Sequence, residues 1–379
     1  MKLIFRNKDV VSKKQDLINL YCFKSFPVFM GCTNKKKEED IMSDMNWSIS
    51  KNSGAIQLNP LLPLNIVYQE GHGSGCVGKI WNEHHKNFAE FVHQFKLKSV
   101  LEIGGLHGIL SKMYQKFDNT IDWSIVEPNP IPVKGVTANF IKGYFDNNFE
   151  FYKSFDAIIH SHVFEHIYDP HSFMKNINNF LPDGKFLIFS LPNLEEMIKR
   201  KYNNALNFEH TFYLTEAYVE YFLKFYKFKV VKKKYFKKDH SIFYACIKDK
   251  KVKSKKLPKN LFKNNKKNFL EYINYYHLLI KNINRKIKKL KDNQKLYLFG
   301  AHVFSQYLIS FGLNVRRIEC ILDNDNSKQG KRLYGTELYV RSPKYIKKKN
   351  AVIILKAGVY NKEIKEDILK NINSNTIFI

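Results

Sequence analysis

The stretch Ser99-Val-Leu-Glu-Ile-Gly-Gly-Leu-His-Gly-Ile-Leu-Ser111 constrains this chain more than any other. Its apolar run to Ile103 reads as a buried strand. Gly104, Gly105 and Gly108 follow as a turn, and the spacing of Leu110, Met113 and Tyr114 is helical. Strand, glycine turn and helix in that order open a βαβ unit and let the backbone approach a ligand closely. Glu102, two residues before the first glycine, separates the turn from a dinucleotide fingerprint. A carboxylate there repels a pyrophosphate and suits the cationic end of an amino-acid-like ligand.

The next strand, Trp123 to Val126, ends in Glu127 and runs into Pro128-Asn129-Pro130. A strand-end acid binds ribose hydroxyls, and its distance from the turn is slightly longer than the roughly 20 residues of a dinucleotide fold. The ordered pair of acids around the glycine turn predicts an adenosine ligand with a zwitterionic tail, S-adenosylmethionine.

Further strands at Ala157 to His160 and Phe186 to Ser190 alternate with helical stretches. A hairpin, Phe228 to Phe236 and Ser241 to Lys248, closes the series. This predicts an α/β, doubly wound, Rossmann-like core over 91–248 with an antiparallel edge. Residues 1–90 form a small N-terminal lobe with a charged loop, Thr33 to Asp44. Gly71-His-Gly-Ser-Gly75 precedes a helix from about Val77 to Phe95. A basic linker and long helix occupy 249–292, the helix with one buried stripe from Phe269 to Ile287. Residues 293–379 repeat the pattern in a second, smaller Rossmann-like unit: strand Lys295 to Phe299, turn Gly300-Ala-His302, helix Val303 to Ser310, strand Arg317 to Leu322, then Asp323.

The 63 Lys and Arg against 35 Asp and Glu leave a net charge of +28. No zinc-finger spacing or aromatic RNA-binding signature accompanies the lysines, so a solvated basic face that favours phosphorylated substrates is expected rather than a nucleic-acid partner. Five scattered cysteines do not make a secreted disulfide framework. With no signal peptide and no apolar run of about 18 residues, a cytoplasmic location and no membrane span are expected.

The middle module resembles the class I S-adenosylmethionine-dependent methyltransferases. The resemblance places Glu102 near the cofactor's amino group, Gly104, Gly105 and Gly108 along its methionine part, Glu127 and Pro128 at the ribose, and Tyr144 and Phe145 at the adenine. His160 packs near the cofactor in that reading. The segment Phe155 to His166 and Leu181-Pro-Asp-Gly184 match the fourth strand and its turn. More loosely, nearly the whole chain resembles three-domain sugar C-methyltransferases, through Leu106 in place of the middle glycine, Phe208-Glu-His-Thr-Phe-Tyr213, His166, and the C-terminal unit. That resemblance implies a nucleotide-activated sugar, or a related phosphorylated precursor of a bacterial capsule or surface polysaccharide, as acceptor. The chain departs from it where the N-terminal zinc cysteines belong and at Asn207, where those enzymes have tyrosine. A zinc-free lobe is expected, and the acceptor atom, carbon or oxygen, stays open.

Methyl transfer from a sulfonium asks the protein to position the acceptor and take up its proton. His210 and His166 are the candidate bases, with Glu209 orienting or charge-balancing them; local capping by Glu209 and His210 is the competing role. His160, His162, His166 and His171 form a dense group in sequence. Strand alternation sends His160 and His162 to one side and His166 into the next helix, so no metal is expected. His302 opens the last cradle's helix, where a phosphate would sit. A non-catalytic nucleotide-sugar-binding scaffold and an RNA methyltransferase are the rival functions. The first predicts no turnover, the second salt-sensitive polyanion binding.

Overall fold

The computed structural model describes residues 2–68 and 78–379, so Gly71–Gly75 lies outside the described residues. In the N-terminal lobe, β1 (Leu17–Pro27), β2 (Met42–Ser50) and β3 (Ile56–Leu58) form an antiparallel sheet in that order. Trp47, Ile49, Phe23 and Ile56 fill its covered face. Helix α1 (Lys79–His93) then buries His84, Phe88, Phe91 and Val92 on one side, the face its spacing predicts.

The core sheet is built from β4 (Ser99–Ile103), β5 (Asp122–Glu127), β6 (Asn139–Lys142), β7 (Ala157–Ser161), β8 (Phe186–Pro192), β9 (Phe228–Phe236) and β10 (Ser241–Lys248). Its spatial order is β9-β10-β8-β7-β4-β5-β6. The five strands from β8 to β6 are parallel, and β9 and β10 are the antiparallel hairpin at the edge. This is the doubly wound α/β core the alternation predicts. Strand order reverses between β4 and β7, and open α/β sheets bind ligands outside the carboxyl ends of the strands at such a point. Helices α2 (Ile109–Tyr114), α3 (Pro170–Phe180) and α4 (Glu216–Phe225) join the strands. Asp169 caps α3 by accepting from the His171 and Ser172 amides, with Pro170 at the first helical position.

Helix α5 (Leu261–Lys288) leads into a second sheet. There β11 (Lys295–Phe299), β12 (Ile318–Leu322), β13 (Val340–Arg341), β14 (Ala351–Leu355) and β15 (Ile377–Phe378) are all parallel, in the order β13-β12-β11-β14-β15, with α6 (Val303–Ser310) after β11. The stripe of α5 ties the lobes together. Phe269 meets Trp47 of β2, and Tyr276 stacks on Phe311 behind α6. Each such ring removes enough apolar surface to be worth about 1.5–3 kcal/mol. A second tie joins Cys32–Thr33 to Arg332–Leu333, beside a bidentate Arg332–Asp40 pair at 2.6 and 2.7 Å whose side chains are only 3% and 2% exposed.

Candidate functional site

β4 carries Glu102 into the sheet's centre, where its carboxylate accepts from the Trp123 indole at 2.7 Å. Burial pushes its pKa up to about 7; the indole pulls it down and Glu127 pushes it further up. A carboxyl so placed gains from a cation. Only glycine at 105 fits against it: a Cβ there would lie 2.6 Å from Ile125 and 2.9 Å from the Glu102 carboxyl carbon. Gly104 and Gly108 take φ of +73° and +67°, and a Cβ on either would meet Val163 or Val136 at 2.8 Å. Any side chain at these positions closes the cradle. Leu106 adopts a φ of 21° without the freedom of glycine. Its N–H is held by Glu127 Oε2 at 3.2 Å and its carbonyl by the Ile131 amide, which fixes the strained turn. The other Glu127 oxygen accepts from the Asn129 amide at 3.0 Å, just past Pro128.

These residues fit S-adenosylmethionine. An under-neutralised buried acid faces the glycine turn, and a second acid ends the neighbouring strand. Tyr144 is 58% exposed beyond them. Two cofactor assignments fare differently. Phe145 is half-buried, and its ring packs in an aromatic cluster with Phe149, Phe173 and Phe180. His160 is wholly covered, stacked on Phe189 at 5.0 Å, and its desolvated imidazole is pushed down to about 3. With no surface to present, it is a core residue rather than a cofactor contact.

The expected shared face of His160 and His162 also fails. His162 leaves the strand at φ 54°, so its ring turns to Trp81 and His84 of α1 and to the Ser241 hydroxyl at 3.0 Å. His171 is turned away as well, towards the Val11 carbonyl and the Tyr226 hydroxyl. Of the four histidines, His160 and His171 thus point away, while His162 and His166 share the Glu165 carboxylate.

What converges instead is His166 and His210, with ring centroids 5.2 Å apart. Glu165 lies 3.7 Å from His166 Nε2 and 3.4 Å from His162 Nδ1, and is fully buried. Glu209 stands 3.9 Å from His166 Nδ1. Among the described residues, Glu165, His166 and His210 offer atoms within 4.8 Å of one another. His210 Nδ1 donates to the Ala205 carbonyl at 2.7 Å, which leaves Nε2 as the proton-accepting nitrogen. Local capping falls to Asn207, whose Oδ1 accepts from the Glu209 and His210 amides.

Thr211 stitches the two histidine segments together. Its amide donates to the Glu165 carbonyl at 2.9 Å and its hydroxyl to the Ile167 carbonyl at 2.6 Å. The N-terminal lobe continues the stitching, since the Leu58 amide donates to Thr211 O and the Tyr213 amide to Ile56 O. Buried Arg6 donates to Thr211 O from the same side. Tyr68, also from that lobe, reaches His166 Nδ1 at 3.4 Å. Burial, with the nearby charges of Glu209, Glu165 and Glu127, raises its pKa well above the usual tyrosine value. Tyr68 thus stays protonated beside the histidine pair and within the field of Glu127. Sequence reasoning missed Glu165, although an acid beside His166 was a signal. Nothing local pointed to Tyr68 or Arg6.

Residues 80–233 match the family model described as a methyltransferase domain. No curated protein matches the sequence. Among solved structures, the plantazolicin methyltransferase BpumL with S-adenosylhomocysteine is similar at 14% identity over 45% of this chain and 84% of its own, TM-score 0.35. The N-methyltransferase NodS from Bradyrhizobium japonicum is similar at 12%, over 45% and 97%, TM-score 0.33. Human N-acetylserotonin methyltransferase is similar at 14%, over 45% and 53%, TM-score 0.37. Residues 80–233 thus match a methyltransferase-domain model, and the glycine turn, both strand-end acids and the histidine pair all lie inside that span.

Proposed function

We propose that the chain methylates a nucleotide-activated sugar, or a related phosphorylated precursor of a surface glycan, with His210 as base. When bound, S-adenosylmethionine supplies an electrophilic methyl group on a sulfonium. Glu102 and the glycine turn would hold its amino-acid end, and Glu127 its ribose. His210 Nε2 takes the acceptor's proton, from oxygen or from an activated carbon, as its Nδ1–H stays on the Ala205 carbonyl. Glu165 and Glu209 flank His166 and balance the charge that forms on the pair. Tyr68 donates a hydrogen bond from the lobe side.

The observation that carries this reading is the convergence of His166 and His210 next to the glycine turn. Val163, three residues before His166, is the side chain that a Cβ on Gly104 would strike. Asn207 supports an oxygen acceptor, because its amide is spent on the backbone turn and puts no phenol there. The sugar-nucleotide class rests on the sequence resemblance and on the basic surface. It is tested by calorimetry with S-adenosylhomocysteine plus a panel of nucleotide-sugars. Binding of one of them that tightens with cofactor supports the proposal; cofactor binding with no nucleotide-sugar in the panel bound would remove the acceptor class while leaving the transfer chemistry.

A further inference from the structure

The edge of the core sheet at β9 combines two properties that seldom share a surface. Phe225, Val230, Val231 and Tyr235 are 45%, 37%, 42% and 46% exposed within eleven residues of chain. Lys224, Lys227, Lys229, Lys232, Lys233 and Lys234 are interleaved with them. Lysines on an edge strand by themselves only prevent strand pairing between molecules. Here three of them, Lys224, Lys229 and Lys233, also line a cavity of about 510 Å³ between α4, β9 and the chain after β10. Leu223, Phe228 and Val252 make its apolar floor, and Lys224, Lys229 and Lys253 stand around it. Glu220 also lines the cavity, where it holds Lys255 at 3.4 Å, and Glu216 holds the lining Lys233 at 2.6 Å, so both acids are already paired with lysines. Among the described residues, Lys224, Lys229 and Lys253 have no carboxylate within ion-pair distance.

We propose that this edge docks the protein onto a bilayer containing anionic lipid, with headgroup phosphates at Lys224, Lys229 and Lys253 and with Phe225, Val230 and Val231 in the interface. Charge complementarity calls for an anion. The exposed aliphatic side chains select a lipid surface over a nucleic-acid backbone, which has no use for them. The position suits a docked enzyme. Phe228 pairs with Lys248, and Ile247 with Phe186 at the start of β8, so the cavity lies at the end of the sheet opposite the glycine turn. Docking there leaves the methyl-transfer site open to the acceptor.

The test is flotation of the full chain with vesicles of phosphatidylcholine, alone or mixed with phosphatidylglycerol, at physiological salt. Binding to the mixed vesicles only is expected. At about 1 kcal/mol per lysine near an anionic surface, Lys224→Glu/Lys229→Glu/Lys253→Glu should weaken it at least about tenfold. The equally charged control Lys344→Glu/Lys347→Glu/Lys370→Glu should stay near wild type, and Val230→Ser/Val231→Ser should weaken binding without any change of charge. Equal loss in both triple variants would overturn the proposal in favour of diffuse net charge. Absence of vesicle binding would overturn it outright, and binding to single-stranded RNA in that case would assign the edge to nucleic acid.

Discussion

The chain holds two strand–glycine–helix–strand–acid units, and they differ in what surrounds the turn. In the first, Glu102 is an acid whose pKa burial raises to about 7, with one indole donating to it and Gly105 placing no side chain against it. In the second, the residue two before Gly300 is Leu298, with no charge to offer a cationic ligand. Asp323 there accepts from the Ala301 amide at 2.7 Å and the Asp325 amide at 2.9 Å, with Lys328 at 3.5 Å. The N-terminal lobe covers the turn: Cys32 Sγ donates to the Ala301 carbonyl, and Gln306 of α6 donates to the Phe29 carbonyl. The same local motif surrounds a buried acid in one place and seats another lobe in the other, and the proposed cofactor cradle is the first. A glycine turn specifies a ligand only through the charge beneath it and the access above it.

The largest effect expected from breaking this contrast is catalytic. His210→Asn should lower kcat by about 10²–10⁴ with cofactor affinity unchanged. His302→Asn, at the second turn, should leave kcat and cofactor affinity at wild-type values; steady-state kinetics beside calorimetry distinguish the two. Next comes stability. Arg332→Leu strands the Asp40 carboxylate in the interior and should cost about 3–5 kcal/mol in denaturant unfolding. Because that pair serves the second unit, cofactor affinity of the folded fraction should persist.

Glu102 gives a pH signature of similar size. Its folded pKa, about 7, lies above its ordinary value of 4.5, so the folded state binds the extra proton. Stability of the cofactor-free protein should therefore fall by about 3 kcal/mol as pH rises through that window, and Glu102→Gln should flatten the slope. The same sign makes cofactor binding strengthen as pH passes 7, with proton release visible as a buffer-dependent heat. The smallest effect is at the stitching residue. Thr211→Val loses one buried hydroxyl contact, about 1 kcal/mol, and should reduce kcat more than it changes KM. A chelator should leave turnover unchanged; loss restored by a divalent cation would recast Glu165, His166 and His210 as metal ligands.

The parts of the molecule legible in the sequence are those whose signal is local. The turn at Gly104 to Gly108, the hairpin at β9 and β10, and the stripe of α5 are each written within one window of hydrophobic periodicity. The strand β6 escaped because Asn139–Lys142 is short and half-exposed, with no apolar run. The site was half legible. His166, Glu209 and His210 sit in a recognisable pattern, while Tyr68 and Arg6 arrive from a lobe about a hundred residues or more away in sequence. His160 and His162 mislead for a physical reason, since one residue at positive φ ends the strand alternation on which their shared face depended.

The most direct test of the contrast between the two turns is calorimetric titration of S-adenosylmethionine into the wild type, Glu127→Ala and Asp323→Ala. The account predicts one equivalent bound by the wild type and by Asp323→Ala, and binding weakened by about 10- to 100-fold or lost in Glu127→Ala. Two equivalents in the wild type, or full binding by Glu127→Ala with loss in Asp323→Ala, would contradict it.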